Sequence, residues 1–249
     1  MIVTDARNPA ALKLFTALLE RMPNGVPGDD LVVVVGGDGF LLRTVAEHGF
    51  GATYLGLNAG HLGFLLNDVD DWETVVEQLE SRTYHVGLFP LLRAEMTRDD
   101  GSVVTDRAIN DIYLERATSQ TTRLQLSIDN HIVVRQLVAD GVVFSTALGS
   151  TAYTFSAGGP ACHPTMHTLV VTPICPHAPR LHPFALPATA RACVDVHDGE
   201  KRPVRAVADG RAVENVRQVE LGYDGSEVRL AYLRSHDFTS RMVQKILHN

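Results

Sequence analysis

The chain has 249 residues, of which 45% are hydrophobic and 20% are charged, and this balance excludes a disordered protein. Its formal net charge of -7 argues against a nucleic-acid or anionic-membrane partner, because the protein as a whole has no attraction to either. Since the sequence shows no signal-peptide pattern, no apolar run near the ~20 residues of a membrane span and only three cysteines, we expect a cytoplasmic protein.

The first third of the chain alternates between the patterns of strands and helices. Asn8 and Pro9 form a pair that favours the start of a helix. The valine-rich run 31–35 is typical of a parallel strand buried on both faces. The predicted elements are, in order, a strand at 1–4, a helix at 10–22, a strand at 31–35, a helix at 40–48, a strand at 53–57 and a helix at 70–82. This order predicts a doubly wound, Rossmann-like α/β domain.

From Tyr84 onwards, short alternating stretches replace the helical periodicity. The Asp129-Asn130 pair indicates a hairpin within this region. The predicted strands lie at 91–96, 109–114, 124–128, 132–137 and 228–233. Residues 237–247 predict a terminal helix that packs back on the first domain. We therefore expect an α/β domain over 1–83 together with 234–249, and an all-β domain over 84–233.

The segment Gly36-Gly37-Asp38-Gly39 connects a buried strand to a helix. Glycines at such a turn let a phosphate approach the backbone, and the helix N-terminus favours the negative charge. An aspartate there would repel phosphate, so its presence needs a reason. Asp38 could coordinate Mg²⁺ or accept a proton from an attacking hydroxyl. Alternatively, it only caps the helix.

This turn is neither a Rossmann fingerprint nor a P-loop, because no Gly-Lys-Ser/Thr follows it. It resembles the Gly-Gly-Asp-Gly turn of a kinase superfamily that includes NAD kinases, diacylglycerol and sphingosine kinases and, more distantly, phosphofructokinases. The segments that resemble NAD kinases within that superfamily are 57–65 with Asn58, the pair Asn110-Asp111, the stretch 140–160 with Ser150-Thr151-Ala152-Tyr153, the segment 171–177 and the pair Asp209-Gly210.

The resemblance to NAD kinases implies phosphoryl transfer to the adenosine 2′-hydroxyl of NAD, with Asp38 as the catalytic base. It implies that NAD is bound by Asp38, Gly39, Asn58, Asn110, Asp111, Asp140, Thr151, Ala152, Tyr153, Ser156 and Arg211. The phosphates of the donor would be bound by Gly36, Gly37, Gly39 and Arg43. The donor would be ATP or polyphosphate, the cofactor Mg²⁺ or another divalent cation, and the assembly a homodimer or homotetramer. No protein-bound metal site is expected.

Three positions depart from the family pattern. Phe40 stands where a threonine is usual, Leu148 replaces another threonine, and Asp111 is one methylene shorter than the usual glutamate. Because the two threonine hydroxyls are missing, the chain could alternatively be a non-catalytic NAD(P)-binding regulator. Because lipid kinases share the Gly-Gly-Asp-Gly turn, a lipid kinase is a second alternative. His61 lies inside the nucleotide motif without an assigned role, and Arg211 could instead be an exposed turn residue.

A zinc site is a further alternative on composition alone. Cysteines and histidines cluster at Cys162-His163, Cys175, His177 and His182. No Cys-x-x-Cys or His-x-x-x-His spacing accompanies them, so the arrangement is not that of a usual zinc site.

Overall fold

The computed structural model describes residues 1–28, 30–60, 63–234 and 237–247. The chain forms two compact units, the first made of Met1–Phe89 with Glu227–Asn249 and the second of Pro90–Ser226. In chain order, the elements are β1 (Ile2–Thr4), α1 (Pro9–Arg21), β2 (Leu31–Gly36), α2 (Asp38–His48), β3 (Thr53–Asn58), α3 (Trp72–Ser81), β4 (His85–Arg98), β5 (Val103–Ala108), β6 (Asp111–Arg116), β7 (Thr122–Ile128), β8 (His131–Ala139), β9 (Gly141–Ser145), α4 (Tyr153–Ser156), β10 (Thr168–Ile174), β11 (Phe184–Pro187), β12 (Ala192–Val196), β13 (Val204–Ala208), β14 (Arg211–Val213), β15 (Val216–Tyr232) and α5 (Phe238–Leu247).

The first unit is a parallel α/β layer, as the alternating sequence pattern predicts. β1, β2 and β3 pair in parallel, and the end of β15 pairs with β3 through Arg229 and Leu230. This pairing places 227–233 in the first unit, although the sequence pattern assigned that segment to the β-rich domain. The core packs the strands against apolar side chains of α1 and α3, including Leu18 and Leu79. The predicted Asn8 cap is confirmed, since its side chain accepts the N–H of Ala10 at 3.0 Å.

The second unit is β-rich and contains antiparallel strands in two layers. One layer has the order β11-β10-β9-β6-β13-β14, and the other includes β12 between β15 and β7, with β8 beyond β7. Buried side chains of both layers, such as Phe144 and Leu126, form one core. The predicted hairpin is confirmed between β7 and β8, where Asp129 and Asn130 both have positive φ, as a type I′ turn requires.

The terminal helix α5 belongs to the first unit, as predicted. Its first residue, Phe238, packs its ring 5.8 Å from that of Phe64 and 5.7 Å from that of Phe89. Within the described ranges, no helix combines the length and the apolar character that crossing a membrane requires.

Candidate functional site

Asp38 is the first residue of α2, at the end of the buried strand β2. Its carboxylate accepts the backbone N–H of Phe64 at 2.8 Å and that of Leu65 at 3.0 Å. The N-cap of α2 is Gly37, and no side chain caps this helix. The helix-capping alternative for Asp38 is therefore wrong, because its two oxygens are held by the segment that follows β3.

The electrostatic environment of Asp38 has two opposing contributions. Burial raises the pKa of Asp38 above its ordinary value. The N–H groups of Phe64 and Leu65 lower it, as do the charges of Arg241 and Lys245 in α5. A carboxylate with a raised pKa is a stronger proton acceptor than an exposed one.

The glycines of the turn differ in what requires them. A Cβ on Gly36 would lie 2.8 Å from the ring of Phe40, so packing excludes a side chain there. A Cβ on Gly37 or Gly39 would meet no described atom within 4 Å, and neither residue has a positive φ. Neither packing nor backbone conformation therefore requires glycine at these two positions. The open space at Gly37 and Gly39 leaves room for a ligand to approach the N-terminus of α2 closely.

Arg43 lies one turn further along α2 and is exposed. Its guanidinium carbon is 5.7 Å from the centroid of the Phe40 ring, which is within the range of a cation–π contact. The aromatic side chain at the position of the usual threonine is therefore within contact range of this exposed arginine.

Asn58 ends β3, and its side chain is engaged within its own loop. The amide nitrogen donates to Asp68 at 2.9 Å, and the amide oxygen accepts the N–H of Gly60 at 2.9 Å. His61 and Leu62 of the same motif lie outside the described residues.

In the second unit, Asp209 organises the segment that carries Asn110 and Asp111. Asp209 lies in the turn between β13 and β14, and its carboxylate accepts the N–H groups of Ile109 at 2.6 Å, Asn110 at 3.0 Å and Asp111 at 3.2 Å. Burial raises the pKa of Asp209 to about 6. Burial also raises the pKa of Asp111 to about 8, and the nearby charge of Asp209 acts in the same direction.

The turn at 146–151 packs directly on Asn110. The backbone N–H of Thr146 donates to the Asn110 carbonyl at 2.9 Å, and a Cβ on Gly149 would lie 2.1 Å from that same oxygen. Thr151, at the end of this turn, is buried. The side-chain oxygen of Asn110 is buried and has no hydrogen-bond partner among the described residues. A buried amide oxygen without a partner is free to accept a hydrogen bond from a ligand.

Tyr153 and Asp140 lie together beside this turn. The Tyr153 ring stands edge-on to that of Tyr113, with centroids 4.9 Å apart. Asp140 pairs with Arg116 at 3.0 Å. Tyr153 and Asp140 line one concavity of about 270 Å³. Burial raises the pKa of Tyr153, and the charges of Asp111 and Asp140 contribute to that shift.

The remaining predicted NAD contacts are Ala152, Ser156 and Arg211. Ala152 donates its N–H to the carbonyl of Gly149 at 2.9 Å, and Ser156 is exposed with its hydroxyl 3.4 Å from the Ala152 carbonyl. Arg211 is half-buried and forks onto Asp106, with nitrogen–oxygen distances of 2.9 and 3.0 Å. Its guanidinium is therefore held by the protein and is not that of an exposed turn residue.

The chain matches a family model described as the ATP-NAD kinase C-terminal domain over residues 109–221, which lie in the second unit. An NAD kinase from Cereibacter sphaeroides is 36% identical over 238 residues, which cover 94% of this chain and 92% of that protein. An NAD kinase from Rhizorhabdus wittichii is 36% identical over 248 residues, which cover 97% and 94%. The chain belongs to the NAD kinase family.

Two solved structures confirm the fold. The yeast NADH kinase complexed with NADH superposes with a TM-score of 0.87 at 22% identity, covering 99% of this chain and 86% of that one. An NAD kinase from Archaeoglobus fulgidus in complex with ATP superposes with a TM-score of 0.77 at 22% identity, covering 98% and 97%. Because the chain belongs to the NAD kinase family, its Gly-Gly-Asp-Gly turn is better interpreted as that of an NAD kinase than as that of a lipid kinase.

Two residues of this candidate site could not be assigned a contact from the sequence. The sequence presents Asp209-Gly210 only as a motif, whereas in the structure the Asp209 carboxylate accepts three successive backbone N–H groups. Arg241 carried no signal at all, yet its guanidinium contacts the segment that binds Asp38. Spacing could not reveal either contact, because the partners are about a hundred or more residues apart in the chain.

Proposed function

We propose that this chain transfers a phosphoryl group to the adenosine 2′-hydroxyl of NAD and so produces NADP. The observation that carries the proposal is the carboxylate of Asp38, whose two oxygens are fixed by backbone N–H groups at the mouth of a glycine turn. The relatives named NAD kinase, at 36% identity over nearly the whole chain, support the same reaction.

In the proposed reaction Asp38 acts as a general base. The 2′-oxygen attacks the terminal phosphorus of the donor, and its proton passes to the Asp38 carboxylate as the new O–P bond forms. The bond from that phosphorus to the leaving oxygen breaks, and the shortened donor keeps the electron pair. A carboxylate cannot deprotonate an alcohol in advance, so its help comes within the transition state and contributes roughly 10²–10⁴-fold.

The donor phosphates are proposed to lie against the backbone of the glycine turn, near Gly36, Gly37, Gly39 and Arg43. The open space at Gly37 and Gly39 and the positive end of α2 support this placement. ATP is the proposed donor, with polyphosphate as the alternative. In the structure of the Archaeoglobus fulgidus relative, the kinase is in complex with ATP.

A divalent cation is proposed to arrive with the donor. In the part of the chain that the structure describes, no group of three or more His, Cys, Asp or Glu side chains is placed to hold a metal ion. Mg²⁺ commonly keeps several waters and binds through phosphate oxygens, so it needs no dedicated protein cage. The cation is therefore proposed to be held by the donor phosphates and by water.

The NAD contacts are proposed to follow the family pattern. The unpartnered oxygen of Asn110 and the concavity at Asp140 and Tyr153 are the features of the second unit that support nucleotide binding. The complete set of proposed contacts is Asp38, Gly39, Asn58, Asn110, Asp111, Asp140, Thr151, Ala152, Tyr153, Ser156 and Arg211. A homodimer or homotetramer and a cytoplasmic location remain predictions from the family and the composition.

The proposal is tested by following NADP formation from NAD and Mg²⁺ with ATP, with polyphosphate and without a donor. We expect donor-dependent turnover, and a loss of kcat of roughly 10²–10⁴-fold in Asp38→Asn. Asp70→Asn is the matched control, because the Asp70 side chain is 65% exposed and it pairs with the exposed Arg234. Near-wild-type turnover by folded Asp38→Asn would contradict the base role. NAD binding without turnover by the wild type, whatever the donor, would instead support the regulator.

A further inference from the structure

Arg241 of the terminal helix is placed against the segment that follows β3. Its guanidinium donates one hydrogen bond to the carbonyl of Gly63 and another to the Asp68 carboxylate at 2.8 Å. The Arg241 side chain is only 16% exposed, whereas that of Asp68 is 51% exposed. A largely buried arginine that bonds both a peptide carbonyl and a carboxylate is fixed in orientation.

The carbonyl that Arg241 binds belongs to the same peptide group as an N–H that binds Asp38. The Gly63 carbonyl and the Phe64 N–H share one planar unit, so fixing the oxygen also fixes the direction of the N–H. That N–H donates to Asp38 at 2.8 Å. A cation at the carbonyl also polarises the peptide and strengthens its N–H as a donor. Arg241 is therefore one peptide group away from the carboxylate.

Other contacts hold α5 in this position. The Phe238 ring lies 5.8 Å from that of Phe64, the residue whose N–H binds Asp38. Asp237 caps the helix by accepting the N–H of Ser240 at 3.0 Å. Among the described residues, Arg241 and Lys245 of α5 and Tyr232 of β15 interact electrostatically with Asp38, and Asp68 pairs with Arg241.

We infer that Arg241 is a positioning residue for phosphoryl transfer: it orients the Gly63–Phe64 peptide that holds the Asp38 carboxylate toward the reacting hydroxyl. The inference rests on the proposed function, because the hydroxyl is that of NAD. It assigns part of the active site to the terminal helix, although Arg241 touches no reacting atom.

Two substitutions separate positioning from simple anchoring of the helix. Arg241→Met keeps the apolar stem and removes both hydrogen bonds and the charge. Arg241→Lys keeps the charge but lacks the rigid planar fork that aims two N–H groups at the two acceptors. Arg234→Met is the matched control, because Arg234 lies in the same terminal segment and its side chain is 67% exposed.

The first readout is steady-state NADP formation. We expect Arg241→Met to lose roughly 10- to 100-fold in kcat, because a misplaced catalytic group is costly even when the substrate still binds. The KM for NAD should stay unchanged, Arg241→Lys should be intermediate, and Arg234→Met should match the wild type. Unchanged kcat in Arg241→Met, or a loss that only follows its folded fraction, would overturn the inference.

The second readout does not depend on turnover. The pKa of Asp38 can be followed through its carboxyl carbon by NMR in the wild type and in Arg241→Met. Because Arg241 lowers this pKa, its removal should raise it, and the acidic limb of kcat/KM should move to higher pH. An unchanged Asp38 titration would overturn the inference even in an active enzyme. If the wild type makes no NADP but the Asp38 titration shifts as expected, the proposed function fails while the Arg241–Asp38 coupling stands.

Discussion

At the scale of single residues, the second unit contains a carboxylate whose environment penalises its charge. Asp111 is buried, and its pKa is raised to about 8 by burial and by the charge of Asp209. Between its ordinary pKa and this raised value, the folded chain binds more protons at Asp111 than the unfolded chain does. The contribution of Asp111 to stability is therefore complete at low pH and is lost as the pH rises through about 8.

The free energy of unfolding should therefore fall as Asp111 ionises, and Asp111→Asn should reduce this pH dependence. The amide does not titrate, so the free energy of unfolding of the variant should fall less between about pH 5 and pH 9 than that of the wild type. Urea denaturation at both pH values measures the difference. Asp100→Asn is a suitable control, because Asp100 is exposed and its pKa is lowered by a hydrogen bond from Ser102, outside this range. Equal pH slopes in the wild type and Asp111→Asn would refute the assignment.

Residue-scale chemistry was only partly predictable from the sequence. Asp38 was recognisable because its motif is contiguous and its charge conflicts with a phosphate site. The partners that fix it were not, since Phe64 is 26 residues away and Arg241 contacts a residue 178 positions away. Local patterns report on neighbours in sequence, whereas these contacts depend on how strands and helices pack.

At the scale of elements, periodicity predicted the strands and helices of the first unit, but local contacts decided the residues at which the helices begin. α2 begins at Asp38, two residues before the predicted start, because the glycine turn itself enters the helix. α3 begins at Trp72, because Asp71 accepts the N–H groups of Glu73 and Thr74 and acts as the N-cap. Such ends depend on individual hydrogen bonds, which an apolar repeat does not encode.

Two glycines in two different elements should respond to alanine in opposite ways. Gly39 lies in the first turn of α2 with open space around it, so Gly39→Ala should raise stability by roughly 0.5–1 kcal/mol. The added methyl group should nevertheless lower kcat/KM, because it faces the proposed donor site. Thermal unfolding and NADP formation on the same preparation test both effects. Full activity in Gly39→Ala would show that no ligand approaches this face of the turn.

Gly149→Ala should destabilise the protein, in contrast to Gly39→Ala. A Cβ on Gly149 would lie 2.1 Å from the backbone oxygen of Asn110. Asn110 cannot move away without disturbing its own hydrogen bond to the Asp209 carboxylate. We expect a destabilisation of about 1–3 kcal/mol or more, measured by urea denaturation. A neutral effect would contradict close packing of the 146–151 turn on the backbone of Asn110.

At the scale of the whole molecule, the sequence predicted the α/β and β-rich parts and the terminal helix, but it misplaced the boundary between the parts. The chain leaves the first unit after Phe89 and re-enters it at Glu227. The C-terminal part of β15 pairs in parallel with β3. The two strands are far apart in the sequence, so no local sequence pattern indicates that they pair. The alternating pattern of 228–233 identifies a strand without identifying its partner.

The predicted homo-oligomer can be tested through the charge of the whole chain. Each copy carries a formal charge of -7, so association brings like charges together, and salt should favour assembly by screening them. Light scattering at about 0.15 M salt should give two or four times the mass of one chain, and low ionic strength with dilution should shift the mass toward a single chain. Active protein with the mass of one chain at every salt and protein concentration would contradict the homodimer and the homotetramer alike.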